Sequence, residues 1–151
     1  MLKDSTSTEL TILIAEDDDG HAELIREHLL DAGIHNPLIR FQNGQEAWDF
    51  LYNCEKKPSG ECQLAYLLLL DIRMPKMDGI QVLQRIKADP NLRMMPVIML
   101  TTTNDPREIQ GCYELGCNCY ITKPVQYDKF SEAIRQLGLF ISIIQVPSIK
   151  R

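Results

Sequence analysis

Reactive side chains follow several short apolar segments of the sequence, at points where strands would end. In chain order these residues are Glu16, Asp17, Asp71, Thr101 and Lys123. Taken singly, each can be an ordinary solvated residue, because strand ends and the loops after them face water. Their occurrence after different strands weakens that explanation. Together they predict one acidic site with a hydroxyl group and an ammonium group beside it.

A cluster of carboxylates at such a site would need a cation. Each negative charge disfavours ionisation of its neighbours, so three charged carboxylates are tolerated only when positive charge lies close to them. Mg²⁺ fits this need, since it prefers oxygen ligands and is commonly held by one or two carboxylates and a phosphate oxygen. Zinc is usually bound by histidine or cysteine ligands, and the sequence suggests neither at these strand ends. Magnesium is therefore the predicted cofactor.

The third apolar segment ends in the residue with the clearest chemical use. A carboxylate can attack phosphorus to form an aspartyl phosphate, and Asp71 follows the most apolar segment, whose packing would fix its direction. Lys123 would neutralise oxygens of the incoming phosphoryl group, and Thr101 would donate a hydrogen bond to one of them. Lys123 could alternatively do no more than place a charge at a strand end.

Five apolar, strand-like segments alternate with five amphipathic, helix-like ones. The predicted strands are 11–15, 37–41, 65–70, 96–100 and 119–121. The first predicted helix spans about 20–32, the second begins near 44, the third ends near 89, the fourth begins at 106 and the fifth covers 127–137. This alternation predicts an α/β fold with a doubly wound five-stranded parallel sheet. Among such folds we expect the flavodoxin-like (βα)5 type, whose strand order is 2-1-3-4-5. Ligands bind such sheets outside the carboxyl ends of the strands, where Asp17, Asp71 and Thr101 would meet.

The composition limits the function further. A length of 151 residues suits one domain, and a net charge of −5 disfavours binding to nucleic acid or to an anionic membrane surface. The N-terminus is polar, and no apolar run reaches the length that crosses a bilayer, so we expect a cytoplasmic protein. Most of the five cysteines are predicted to be free thiols in a reducing compartment, and Cys117 and Cys119 lack the spacing of a zinc site.

Four short motifs resemble those of bacterial response-regulator receiver domains, and the resemblance covers nearly the whole chain. The motifs are Glu16-Asp17 after the first strand, Leu70 to Pro75 followed by Met77-Asp78-Gly79, Leu100-Thr101-Thr102, and Thr122-Lys123-Pro124. The resemblance implies two-component signalling, in which a histidine kinase phosphorylates the receiver. It also implies a phosphoacceptor switch and no enzyme activity beyond self-catalysed phosphotransfer and dephosphorylation.

The same resemblance assigns roles to individual residues. Asp71 would be the phosphoacceptor and Lys123 would bind the phosphate. Asp17 would bind Mg²⁺ directly and Glu16 through a water, and the backbone carbonyl of Arg73 would be a third protein ligand. Thr101 and Tyr120 would form the switch pair. The Arg73 side chain could lean toward the phosphate or face solvent.

A longer motif, residues 113–124, is similar to the small single-domain regulators that accompany cyanobacterial and bacterial phytochromes. This similarity implies a phytochrome-type histidine kinase as partner. We expect a polar N-terminal segment over residues 1–9, a receiver domain over 10–138 and an apolar C-terminal extension over 139–151.

Three other functions are compatible with parts of the pattern. A haloacid-dehalogenase-like phosphatase also uses an aspartyl nucleophile after a strand, but it resembles a motif with a second Asp two residues on, where this chain has Arg73. An inactive receiver could serve only as a protein-binding module. A flavodoxin-like redox protein shares the architecture, but Glu16 to Asp19 would repel the phosphate of its cofactor.

The C-terminal residues are more apolar than one face of a surface helix can bury. The residues that would form one stripe are Leu137, Phe140, Ile141 and Ile144, and those off it are Leu139, Ile143 and Val146. An exposed apolar surface usually marks an interface, so we expect a homodimer through this helix and tail. The alternative is that residues 141–146, rich in β-branched side chains, fold back as a short strand.

Overall fold

The computed structural model describes residues 10–55, 65–124 and 126–143, apart from the side chains of Cys54, Glu55 and Tyr127. Its strands and helices alternate along the chain. They are β1 (Leu10–Ala15), α1 (Asp19–Asp31), β2 (Leu38–Phe41), α2 (Gly44–Glu55), β3 (Ala65–Leu70), α3 (Gly79–Ala88), β4 (Val97–Thr101), α4 (Pro106–Leu115), β5 (Cys119–Thr122) and α5 (Tyr127–Ile143). The strands form one parallel sheet in the order β2-β1-β3-β4-β5. The predicted α/β fold and strand order are confirmed.

The sheet separates two apolar layers because successive side chains of a strand point to opposite faces. One layer joins Leu13, Leu68 and Met99 to the inner faces of α2, α3 and α4. The other joins alternate strand residues, such as Leu67 and Ile98, to α1 and α5. All six residues of β3 are buried, as expected for a central parallel strand covered on both faces. This double coverage fixes the direction in which the end of β3 points.

Side-chain caps set where the helices near the strand ends begin. The Asp18 carboxylate accepts a hydrogen bond from the backbone of His21, so α1 begins at Asp19, one residue before the predicted start. At α3, Asp78 and Gln81 form a reciprocal capping box. These caps fix the helix ends beside the acidic strand ends.

A close backbone contact places α3 directly against the end of β3. A Cβ atom at Gly79 would lie 2.0 Å from the carbonyl oxygen of Asp71, so no other residue type fits without a shift of the backbone. The Gly79 N–H also donates to the Ile72 carbonyl at 2.8 Å. The turn between them includes Lys76 in the left-handed region, with φ of 71°. The loop after Asp71 is therefore held at both ends.

The last helix is longer than predicted. Its buried residues, Phe130, Ile134, Leu137 and Ile141, recur at intervals of three or four and pack in the layer shared with α1. Within the predicted stripe, Leu137 and Ile141 are thus buried against their own domain, whereas Phe140 is 47% exposed. The alternative strand is contradicted for residues 141–143, which are helical, while residues 144–146 lie outside the described part of the chain. The proposed boundary after residue 138 falls within α5.

Among the described residues, no helix is long and apolar enough to cross a membrane. The segment over residues 1–9 lies outside the described part of the chain.

Candidate functional site

The carboxyl ends of four strands meet at one rim of the sheet and carry the predicted residues. Glu16 follows β1, Asp71 follows β3 and Lys123 follows β5. Backbone hydrogen bonds extend the sheet into this rim: Asp71 N–H donates to Ala15 at 3.1 Å, and Lys123 N–H donates to Thr101 at 2.7 Å. The reactive side chains therefore stand on extended backbone fixed by neighbouring strands.

Three carboxylates converge at this rim. One oxygen each of Glu16, Asp17 and Asp71 can be chosen so that all three lie within 4.8 Å of one another. Glu16 and Asp71 are buried, whereas Asp17 is exposed to solvent. A set of hard oxygen donors that is open on one side suits a divalent cation that keeps some of its waters. The carboxylates thus fit the predicted metal site.

The Lys123 ammonium lies among acceptors and is almost completely buried, with 3% of its side chain exposed. It forms an ion pair with Glu16 Oε1, and it lies 3.5 Å from Asp71 Oδ2. Its third neighbour is His21 Nδ1, at 3.1 Å. From sequence, Lys123 was expected to engage the phosphoryl group. The structure places its charge between two carboxylates before any phosphoryl group is present.

The protonation of Glu16 is altered by this environment. Burial is the main cause, and it raises the pKa of Glu16 from 4.5 to about 7. The hydrogen bond and charge of Lys123 oppose this rise, and the nearby Asp71 charge adds to it. A single lysine therefore does not compensate fully for the burial of the carboxylate.

Asp71 is directed by its own loop. Its Oδ1 accepts a hydrogen bond from the backbone N–H of Ile72 at 2.8 Å, which leaves Oδ2 facing Lys123. An open cleft of about 370 Å³ lies beside it, and the residues lining this cleft are Asp17, Ile72, Arg73, Met74, Pro75 and Asp78. This cleft therefore gives solvent access to the loop that follows Asp71.

The Arg73 side chain is directed to α4 rather than to Asp71. It is 68% exposed, and its Nη2 donates to Glu108 Oε2 on α4 at 3.1 Å. Of the two orientations considered from sequence, the structure shows the exposed one. The ion pair links the loop after β3 to the first turn of α4. Glu108 has no sequence motif of its own, so this link was not predicted.

The proposed switch residues, Thr101 and Tyr120, lie on the neighbouring strands β4 and β5, offset by two residues in register. Thr101 is fully buried, and it is paired in register with Thr122. The Tyr120 hydroxyl donates to the carbonyl of Thr103 at 2.7 Å, and burial raises the pKa of Tyr120 to about 12. The Tyr120 ring is therefore tied to the loop that leads from β4 to α4.

Two further residues at the rim were missed from sequence. His21 reaches Lys123 although no histidine was expected there, because the first turn of α1 brings its ring back over the strand ends. Arg40 on β2 donates to the Glu16 carbonyl from Nε at 2.9 Å and from Nη2 at 2.7 Å, and its Nη1 donates to Asp19 at 2.8 Å. This side chain fastens the acidic loop to the edge strand.

Comparison with known proteins places this architecture in one family. The family described as the response regulator receiver domain matches residues 12–135. Response regulator Rcp1 from Synechocystis sp. is 35% identical over 127 residues, which are 81% of this chain and 82% of Rcp1. The match to the crystal structure of its Mn²⁺-bound form covers 91% of this chain and 98% of the crystallised chain, at 31% identity and a TM-score of 0.79.

Two other crystal structures are similar. A response regulator receiver domain from Rhodospirillum rubrum has 48% identity and a TM-score of 0.85, over 93% of this chain and 99% of that one. The phosphorylated cyanobacterial phytochrome response regulator RcpA has 30% identity and a TM-score of 0.80, over 94% of this chain and 100% of that one. These matches do not favour a haloacid-dehalogenase-like phosphatase. The chain belongs to the response regulator receiver family.

Proposed function

We propose that Asp71 accepts a phosphoryl group in the presence of Mg²⁺ and that the resulting aspartyl phosphate switches a protein-binding surface. The observation that carries this proposal is the position of Asp71 Oδ2, which faces the buried Lys123 ammonium beside two further carboxylates. Such an arrangement places a nucleophile, a cation site and a fixed positive charge within one rim.

In the proposed reaction, Asp71 Oδ2 forms a bond to phosphorus while the bond from phosphorus to the donor breaks. The donor keeps the electron pair of that bond. Negative charge on the transferred oxygens lies next to Lys123, and the Thr101 hydroxyl can donate to one of them. Later attack of water on phosphorus returns the Asp71 carboxylate and releases inorganic phosphate.

Asp17, Asp71, the Arg73 backbone carbonyl and, through a water, Glu16 are the proposed ligands of Mg²⁺. The ion would supply positive charge to the transferred phosphoryl oxygens. The close approach of the three carboxylates supports this assignment, as does their oxygen-only chemistry. The Mn²⁺-bound form of the related Rcp1 is consistent with a divalent cation.

The proposed phosphodonor is a histidine kinase, and a phytochrome-type kinase in particular. Similarity to the phytochrome response regulator RcpA supports the phytochrome-type kinase. Apart from phosphotransfer onto Asp71 and its reversal, we propose no enzyme activity. The switch would run through Thr101 and Tyr120 to the Thr103 loop, because the Tyr120 hydroxyl already holds that loop.

Radiolabelled acetyl phosphate tests the phosphoacceptor. With Mg²⁺, the parent should gain one acid-labile, hydroxylamine-sensitive label, and Asp71→Asn should gain none. Asp31→Asn is a matched control, because Asp31 is an exposed carboxylate on α1 outside the site. Full labelling of Asp71→Asn would refute the assignment. Repeated turnover of phosphodonor without label would instead indicate a phosphatase.

We also propose a homodimer through the outer face of α5. Three apolar side chains there remain exposed, by 51% at Leu139, 47% at Phe140 and 77% at Ile143. Phe140 also borders an apolar groove of about 290 Å³ between α5 and the edge strand β5, which a second copy could fill. Burial of these side chains would remove about 25 cal/mol per Å² of apolar surface from water.

Sedimentation of the full chain tests the dimer. The parent should sediment as a dimer at micromolar concentration, and the double variant Phe140→Asp, Ile143→Asp should sediment as a monomer. Met94→Asp is a control for an exposed apolar residue elsewhere. A monomeric parent, or a double variant that stays dimeric, would rule out this face.

A further inference from the structure

The Lys123 ammonium has three neighbours, and one of them plays no part in the proposed reaction. Two are the carboxylates of Glu16 and Asp71, which the proposed function assigns to the cation and the phosphoryl group. The third is His21, whose Nδ1 lies 3.1 Å from Lys123 Nζ. His21 is therefore a contact of this ammonium that is not a carboxylate.

The direction of this hydrogen bond follows from the chemistry of the two groups. An ammonium group has three N–H donors and no acceptor, so Nδ1 must be the acceptor. The imidazole must then carry no proton on Nδ1 and a proton on Nε2. A proton on Nδ1 would remove this acceptor and would set N–H donors of both groups against each other about 3 Å apart.

The position of the His21 ring is fixed by its own surroundings. His21 belongs to the first turn of α1, and its backbone N–H donates to the capping carboxylate of Asp18 at 2.9 Å. The ring lies near Phe130 of α5, with 6.4 Å between the ring centres. These contacts hold the ring at the rim without using Nδ1, which lies 3.1 Å from Lys123 Nζ and 4.0 Å from Glu16 Oε2.

We propose that His21 is a positioning residue that keeps the Lys123 ammonium at the acceptor. When a water of the proposed cation engages Glu16, that carboxylate is shared between the water and the ammonium, and the His21 lone pair still holds the Lys123 side chain toward Asp71. This inference rests on the proposed function, since it concerns the same phosphorylation site. Water can partly replace the imidazole, because the His21 side chain is 41% exposed.

Variants at position 21 test the inference through the rate of phosphorylation by acetyl phosphate. His21→Leu removes the acceptor and should slow labelling about fivefold, as expected for a hydrogen bond to a charged group that water partly replaces. His21→Asn places a side-chain oxygen near the former Nδ1 and should stay within about twofold of the parent. His35→Leu, at an exposed histidine outside the site, should behave as the parent.

Two further measurements separate positioning from a general structural effect. Mn²⁺ affinity should be unchanged in His21→Leu, because His21 is not a proposed ligand. In the unmutated chain, nitrogen-15 correlation spectra should show the His21 tautomer with the proton on Nε2.

The possible failures are distinguishable. A parent that takes no label refutes the proposed function. A labelled parent with His21→Leu at the parental rate, equal losses in His21→Leu and His21→Asn, or a proton on Nδ1 refutes the positioning role. If His21→Leu does not fold, the tautomer and the rate of His21→Asn still decide the question.

Discussion

Replacement of Lys123 by methionine should destabilise the metal-free protein in a way that depends strongly on pH. The substitution keeps most of the side-chain volume and removes the only ammonium beside the buried Glu16 and Asp71 within the described residues. Loss of one partner from a buried ion pair costs about 3 to 5 kcal/mol. We expect about 3 kcal/mol at pH 8, the lower end, because Glu16 can take up a proton instead of remaining charged.

The pH dependence follows from the pKa of Glu16. In the folded parent this pKa is raised from 4.5 to about 7, so the folded chain keeps a proton that the unfolded chain releases. The parent's free energy of unfolding therefore falls between pH 4.5 and 7 and levels off above. Without Lys123 the pKa of Glu16 rises further, so the free energy of unfolding continues to fall to higher pH. At pH 5 Glu16 is protonated in both folded proteins, so Lys123→Met should lower the free energy of unfolding by only about 1 kcal/mol.

Urea unfolding with EDTA, followed through the partly buried Trp48, measures this difference at pH 5 and pH 8. Lys129→Met controls for the loss of an exposed lysine. Millimolar Mg²⁺ at pH 8 should reduce the loss in Lys123→Met, since the cation compensates the same carboxylates. Equal losses at both pH values, or a loss no larger than that of Lys129→Met, would refute the proposed balance of charges.

Two other substitutions test contacts around the site. Arg40→Met should weaken Mn²⁺ binding about tenfold by calorimetry, because Arg40 holds the Glu16 carbonyl and outer contacts of this kind orient metal ligands. Arg26→Met is the control, and Mn²⁺ binding by Arg40→Met as tight as that of the parent, or tighter, would contradict this role. Tyr120→Phe should lower the free energy of unfolding by about 1 kcal/mol in urea, because it removes the hydrogen bond to the Thr103 carbonyl; an unchanged value would mean that water replaces this bond fully.

The fold was predictable because the spacing of apolar residues along the sequence differs clearly between strands and helices. The run from Ala65 to Leu70 is apolar at every position, which only a strand covered on both faces requires, and β3 has these bounds. The convergence of the acids was predictable for the same reason, since the carboxyl ends of neighbouring parallel strands share one rim. The placement of Glu16 and Asp71 needed no knowledge of side-chain contacts.

Contacts that depend on helix rotation or on distant side chains could not be read in this way. His21 reaches Lys123 across 102 positions, and Arg40 reaches Glu16 from the edge strand. Neither pair has a spacing signal, because each is set by how a whole element packs. The faces of α5 were only partly predictable for a related reason: the predicted stripe joined Phe140 to Leu137 and Ile141, but the packing of the helix buries only the last two.

The charges at the rim explain why a divalent cation suits this site better than a second lysine. When Glu16, Asp17 and Asp71 are all ionised, three negative charges face the single positive charge of Lys123. The raised pKa of Glu16 reflects that imbalance together with burial. A divalent cation would close the remaining deficit of two charges. Phosphorylation would then replace a singly charged carboxylate by a phosphoryl group with close to two negative charges at pH 7. The added charge would lie between the cation and Lys123. These two positive groups, which allow the carboxylates to lie close together, would therefore also stabilise the phosphorylated Asp71.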